Sequence, residues 1–208
     1  KLHTFFKLLS LNAKYASYFF IFDVQPKLNF LDISYTRVVT LHAETCASLI
    51  HLNMIDNYVQ TWGKLPNLVR LVISSNKSTD LELPSEATNL QYLEIIDNIK
   101  SIPNTYVKLQ ELAIHNNYKI THIPETCVSL KKLKLVNTLP IQPPTSLKEL
   151  EEVVWLPMNL SKYIVLLDAF TKLKKVTIDP NSTPNSTVVL APDSQAVVNT
   201  TNLYAITV

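Results

Sequence analysis

The sequence predicts an α/β solenoid, in which short strands of successive turns stack side by side into one curved parallel sheet. Three observations carry that prediction. Between Leu68 and Leu135 the frame Leu-x-x-Leu-x-(Leu/Ile) recurs as Leu68, Leu71, Ile73; Leu90, Leu93, Ile95; Leu109, Leu112, Ile114; and Leu130, Leu133, Leu135. Related frames start at 6, 28, 49, 150, 173 and 203, so the starts are spaced by 22, 21, 19, 22, 19, 21, 20, 23 and 30 residues. All but the last interval fit one short structural repeat. Asparagine fills the ninth place at Asn76, Asn98 and Asn117, and proline stands six residues before the next start at Pro84, Pro103 and Pro124.

Strand geometry explains the frame. Successive side chains point to opposite faces, so positions four and six enter a core while positions three, five and seven face solvent. One turn cannot bury its own apolar face; stacking at about 4.8 Å per strand supplies the core. The pattern resembles the leucine-rich repeat family in its short-repeat form. That resemblance implies a right-handed superhelix, with the parallel sheet on the concave face and mostly irregular or short helical segments on the convex face. It also implies that the ninth-position asparagine turns inward to hydrogen-bond the backbone of neighbouring turns, and that the chain is a binding module.

In chain order, the first frame reads Phe6, Leu9, Leu11, with Lys14 at its ninth place. The return that follows crowds Tyr15, Tyr18, Phe19, Phe20, Ile21 and Phe22 together, as an apolar cap over the first turn or as an exposed anchor. Frames Leu28, Leu31, Ile33 and Leu49, Leu52, Met54 come next, with Thr36 and Asn57 at the ninth places. After the four central frames come Leu150, Val153, Trp155 and Leu173, Val176, Ile178, with Met158 and Asn181 at the ninth places. Thr36 and Thr138 are expected to replace asparagine in part; Lys14 and Met158 cannot. Leu160, Ile164 and Leu167 have helical spacing, which predicts a short helix after Trp155. Residues 182–201, rich in Ser, Thr, Pro and Asn, are expected to form an irregular insertion before the last frame, Leu203, Ile206, Val208. The domain expectation is one repeat domain over 1–208. Starting on Lys1 and ending on an apolar frame, the chain is expected to be a piece of a longer protein. With one glycine, Gly63, its turns must be built from Asn, Asp, Ser and Pro.

Composition bounds the function. A 208-residue chain with 47% hydrophobic content can bury a sizeable core, and a formal charge of +2 calls for no nucleic acid or anionic membrane. The apolar run Tyr18 to Phe22 is far short of a bilayer span. Cys46 and Cys127 each lie 18 residues past a frame start and four turns apart. That is roughly 19 Å at about 4.8 Å per turn, beyond the reach of a disulfide, so two buried free thiols are expected. Sequons begin at Asn76, Asn159, Asn181, Asn185 and Asn199, but Asn76 and Asn181 hold the inward ninth place. With no disulfide framework, the expectation is a cytoplasmic protein, an extracellular or cell-surface setting being the alternative.

The five histidines are scattered and no Cys/His pair has ligand spacing, so no metal or cofactor is expected. No nucleophile-base-acid signature or glycine-rich phosphate loop is present, so the chain reads as non-catalytic, with no small-molecule substrate. Lysines 131, 132 and 134 and lysines 172, 174 and 175 allow a phosphate-binding patch or a solvated strand edge; Glu151 and Glu152 between them favour the edge.

The leading function is a protein-interaction scaffold, the recognition or targeting part of a signalling or regulatory protein. Alternatives are a regulatory subunit docking on a catalytic partner such as a phosphatase, and the ectodomain of a surface receptor or adhesin. The expected interface is the concave face, where Ile55, Val72 and Ile96 form an exposed apolar strip. Around it stand His51, Asn53, Arg70, Tyr92, Glu94, Glu111 and His115, a mixture suited to a protein partner.

Overall fold

The computed structural model describes residues 9–16, 27–37, 41, 43–57, 63–74, 81–97, 99–139, 141–156, 164–166, 170–178, 188–190 and 197–199, with 164–166, 178, 188–190 and 197–199 described by backbone alone. Its elements are β1 (Ser10–Asn12), β2 (Phe30–Asp32), α1 (Ala43–Ser48), β3 (His51–Met54), β4 (Arg70–Ser74), β5 (Tyr92–Ile96), β6 (Glu111–His115), β7 (Lys132–Val136), β8 (Glu152–Leu156), β9 (Ile164–Leu166), β10 (Lys175–Ile178), β11 (Val188–Leu190) and β12 (Val197–Asn199). Among the described residues, ten strands form one parallel sheet in the order β1-β2-β3-β4-β5-β6-β7-β8-β10-β12, and β9 pairs with β11 in a second.

Leu31, Leu52, Leu71, Leu93, Leu112, Leu133, Val153 and Val176 stand in line across eight strands. All are buried, as are Ile33, Met54, Ile73, Ile95, Ile114, Leu135 and Trp155 two residues further along. The frames starting at 28, 49, 68, 90, 109, 130, 150 and 173 therefore each supply a strand of one sheet, entered two residues after the start.

Turns follow a common device. Tyr15, Tyr35, Asp56, Asp97, Asn116 and Asn137 all have φ between 47° and 65°, and in the frames from 28 onward this is the eighth position. Asn and Asp tolerate the left-handed region best, which lets the chain turn without glycine. Gly63 serves a different need: a Cβ there would come 2.5 Å from the Ala43 Cα at the start of α1.

The ninth position is an internal lock. Asn117 donates to the carbonyls of Asp97 (2.6 Å) and Ile99 (2.9 Å) in the preceding turn and accepts from the amides of Lys119 and Ile120. Asn57 donates to the Ile33 carbonyl and to Thr36 Oγ1, both at 2.7 Å, while Thr36 donates to Ile33. Thr36 thus fills the place of an asparagine, helped by Asn57 reaching back one turn. Thr138 does not: its Oγ1 is buried without a partner. Asn76, Asn98 and Asn181 lie outside the described residues, as do Met158, the aromatic residues 18–22, and the sequons at Asn159 and Asn185.

The ends depart from expectation. Leu11, not Leu9, stands opposite Leu31, and Leu9 is 59% exposed. The first frame therefore starts at 8 rather than 6, with Leu11 and Ala13 packed on the core and Lys14 at position seven. Two leucines two residues apart fit either phase, and Tyr15, left-handed at position eight, fixes the register. Ile164–Leu166, expected in a helix, is strand β9, because β-branched Ile164 and Val165 favour extended backbone; Leu160 and Leu167 lie outside the described residues. Within the expected insertion 182–201 the chain forms β11 and β12, and Val198 stands opposite Val176. The tenth frame consequently starts at 195, and 203–208 lie outside the described residues.

Candidate functional site

The strand register sorts the concave face into rows. Position three runs Phe30, His51, Arg70, Tyr92, Glu111, Lys132, Glu152, Lys175, and position five runs Asp32, Asn53, Val72, Glu94, Ala113, Lys134, Val154, Thr177. Position seven includes Ser74, Ile96, His115, Val136 and Leu156.

Four expected site residues form a connected cluster on β4, β5 and β6. The Arg70 guanidinium lies 3.5 Å above the Tyr92 ring. Tyr92 donates its hydroxyl to Glu94 at 2.8 Å, and the other Glu94 oxygen is 3.6 Å from His115 Nε2. Burial and then the Glu94 carboxylate hold the Tyr92 hydroxyl above its ordinary range, against the lowering effect of Arg70. Burial and then the charge of Lys134 keep His115 below the usual imidazole value, with Glu94 opposing. Around neutral pH His115 is therefore uncharged and can accept or donate at its ring nitrogens.

The other expected residues are placed less uniformly. His51 is exposed, its ring 6.4 Å from that of Phe30. Asn53 donates to Asp32 at 3.3 Å, leaving its own Oδ1 buried without a partner. Ile55 and Ile96 are half-buried, and Ser34 Oγ accepts the Ile55 amide. Val72 corrects the expected apolar strip: at 6% exposure it is buried, seated in register between Asn53 and Glu94. Asp32, Ser34 and Ser74 are buried too, the serines folding in to accept amides of the next or preceding turn. Lys134, which the sequence assigned to a phosphate patch or a solvated edge, stands in the position-five row one frame beyond Ala113, beside the cluster.

Glu111 pairs with Lys132 at 3.0 Å, and further along the sheet Glu152 pairs with Lys175 at 2.7 Å. On the adjoining edge Glu151 meets Lys174 and Glu149 meets Lys172. Four of the six lysines in these groups, Lys132, Lys172, Lys174 and Lys175, are thus neutralised by neighbouring glutamates on an exposed edge. Cys46 and Cys127 are free and buried, and burial pushes both thiols up, Cys127 to about 11. Among the described residues no group of three His, Cys, Asp or Glu side chains is placed to hold a metal ion, and no helix is long and apolar enough to cross a membrane.

No protein-family model matches the sequence, and no curated protein matches it. Among solved structures the chain is similar to the functional domain of InlJ from Listeria monocytogenes, described as including a cysteine ladder, with 15% identity and a TM-score of 0.46 over 88% of this chain and 53% of that one. It is also similar to a leucine-rich repeat protein of Leptospira interrogans, with 16% identity and a TM-score of 0.39 over 84% and 61%. The chain thus spans 53% and 61% of the structures it matches. With one frame per strand and asparagine locks between turns, the architecture is a leucine-rich repeat solenoid. In such a solenoid the position-three row, with the position-five side chains that stay uncovered, is the surface that successive turns can vary without disturbing the core.

Proposed function

We propose that this solenoid is a non-catalytic recognition module, the targeting part of a regulatory protein, that binds a protein partner on the concave face across β2 to β6. The observation that carries the reading is the Arg70, Tyr92, Glu94 and His115 cluster. Its side chains already hold one another in place, so binding immobilises little that is free, and arginine and tyrosine are the residue types that most often dominate interface energy. The β6 to β10 part of the face supports the same limit, because a partner there would have to displace ion pairs already made.

The test is a random peptide display library panned on the full chain and on the triple variant Arg70→Ala, Tyr92→Ala, Ile96→Ala. Peptides enriched on the wild type are expected to lose roughly tenfold or more in affinity for the variant, with unchanged circular dichroism. Equal binding to both proteins moves the site to the convex face or an edge.

A further inference from the structure

We infer that Arg70 is a preformed receptor for one carboxylate, an aspartate or glutamate side chain of the partner; this rests on the concave-face reading above. Stacking on Tyr92 occupies a face of the guanidinium. The guanidinium also acts on the Tyr92 hydroxyl as a charge and a hydrogen-bond donor, and the N–H donors left in the plane of the group keep an edge that matches a carboxylate bidentately.

The acid best placed to fill that fork is engaged elsewhere. Glu94, on the neighbouring strand, spends one oxygen on the Tyr92 hydroxyl and turns the other to His115. Among the described residues no carboxylate pairs with Arg70, whereas Lys132, Lys172, Lys174 and Lys175 each meet one at 2.7–3.0 Å. Arg70 is also half-buried, and a charge held partly out of water with no carboxylate partner among the described residues gains more from an incoming anion than an exposed one does.

The surroundings select a monoanion. Glu94 flanks Arg70 on β5 and Asp32 lies two strands away on β2, so a phosphate dianion would be repelled from both sides. Lys134, the concave-face cation that could share such a charge, is three strands away, roughly 14 Å at about 4.8 Å per strand. Next to the fork, Phe30 and His51 continue the row with ring surface, so the fitting partner segment carries its acid beside an apolar or aromatic side chain.

The experiment uses the peptides selected on the wild-type chain. A shared Asp or Glu is expected, and replacing it by Asn or Gln should weaken binding roughly tenfold or more to the wild type but leave binding to Arg70→Ala unchanged. Arg70→Lys, which keeps the charge and loses the planar fork, should not restore affinity, and phosphoserine in place of the acid should bind more weakly. Peptides that need Tyr92 and Ile96 but tolerate Arg70→Ala, or that carry no common acid, overturn the carboxylate site and leave the concave-face reading standing. Tighter binding of the phosphoserine peptide overturns the monoanion assignment. Peptides indifferent to all three positions overturn the concave-face reading itself.

Discussion

The turn that carries Asn117 and the turn that carries Thr138 are neighbours, yet they are held in different ways. Asn117 reaches two carbonyls of the preceding turn and takes two amides of its own, so every polar atom of its side chain is used. Thr138 is too short to do the same, and its hydroxyl is left buried without a partner. One turn further the Trp155 indole nitrogen is also buried and unpartnered, and from there each return adds a strand, first β9 and then β11. The concave face changes along the same stretch, from a cluster built on Arg70 and Tyr92 to paired glutamates and lysines. Asn117 locks its turn from within, whereas beyond Thr138 the pairs Glu151–Lys174 and Glu152–Lys175 tie neighbouring turns together on the outside.

The apolar core is common to both regions, and removing part of it tests whether it is. Leu93→Ala and Leu133→Ala, one on each side of the change, are each expected to cost about 2–5 kcal/mol by urea unfolding, since both side chains are essentially inaccessible. A large difference between them would mean that the core, not the lock, distinguishes the regions. Asn117→Ala strips partners from two carbonyls and two amides; two of these four bonds are buried, and at about 1–3 kcal/mol for each buried polar group abandoned a loss of roughly 2–6 kcal/mol is expected. Thr138→Val, nearly the same shape without the orphaned hydroxyl, is expected to be neutral or slightly stabilising. Equal losses from the two substitutions would erase the comparison.

The return between these two turns carries Cys127, and it makes the fold sensitive to alkali. With a reference value of 9.0 and a folded value of about 11, the folded chain holds the thiol proton where the unfolded chain releases it. Stability is therefore full below pH 9 and falls between pH 9 and 11, by roughly 2 kcal/mol at the upper end. Tyr106, whose buried hydroxyl is also held up and donates to the Pro84 carbonyl, adds a loss of the same sign. The Cys127 share is consequently the difference between wild type and Cys127→Ala across that range; parallel pH profiles would show that the thiol titrates normally. Native labelling by a thiol reagent at pH 8 is expected to be slow at both cysteines and fast in urea.

How far all this was legible depends on what each residue contributes alone. Positions four and six could be read because strand alternation makes Leu71, Leu93 and Leu112 inward whatever their neighbours are, and the register of β2 to β8 followed from spacing. The first frame slipped by two because Leu9 and Leu11 are the same residue type, and a phase error of two preserves the facing. Strand β12 was hidden because its frame puts Gln195, Val198 and Thr200 where leucines stand elsewhere. Strand β9 was hidden because Ile164 also fits a helical spacing. In the candidate site the rows were legible and the pairings were not. That Glu94 turns to His115 rather than Arg70, or that Val72 is covered, depends on side chains from three strands at once.

The smallest expected effects are in the ion-pair rows, and they separate a surface tie from an internal lock. Lys132 lies between Glu111 and Glu152 in the position-three row, and its partners hold its ammonium group above the ordinary lysine range. The pair is well exposed on both sides, and exposed pairs gain little over their hydrated, separated forms. Lys132→Ala should therefore leave the urea midpoint nearly unchanged. Lys132→Glu places three carboxylates in consecutive turns and should lower the midpoint at low ionic strength. In 1 M salt, where the screening length is about 3 Å, that loss should vanish, while the loss from Asn117→Ala should persist, because the Asn117 side chain is fully buried and its hydrogen bonds are to uncharged backbone groups. A charge reversal at Lys132 that is as damaging in 1 M salt as in dilute buffer would show that the row is a packed part of the fold, and the contrast between the two regions would then have to be drawn elsewhere.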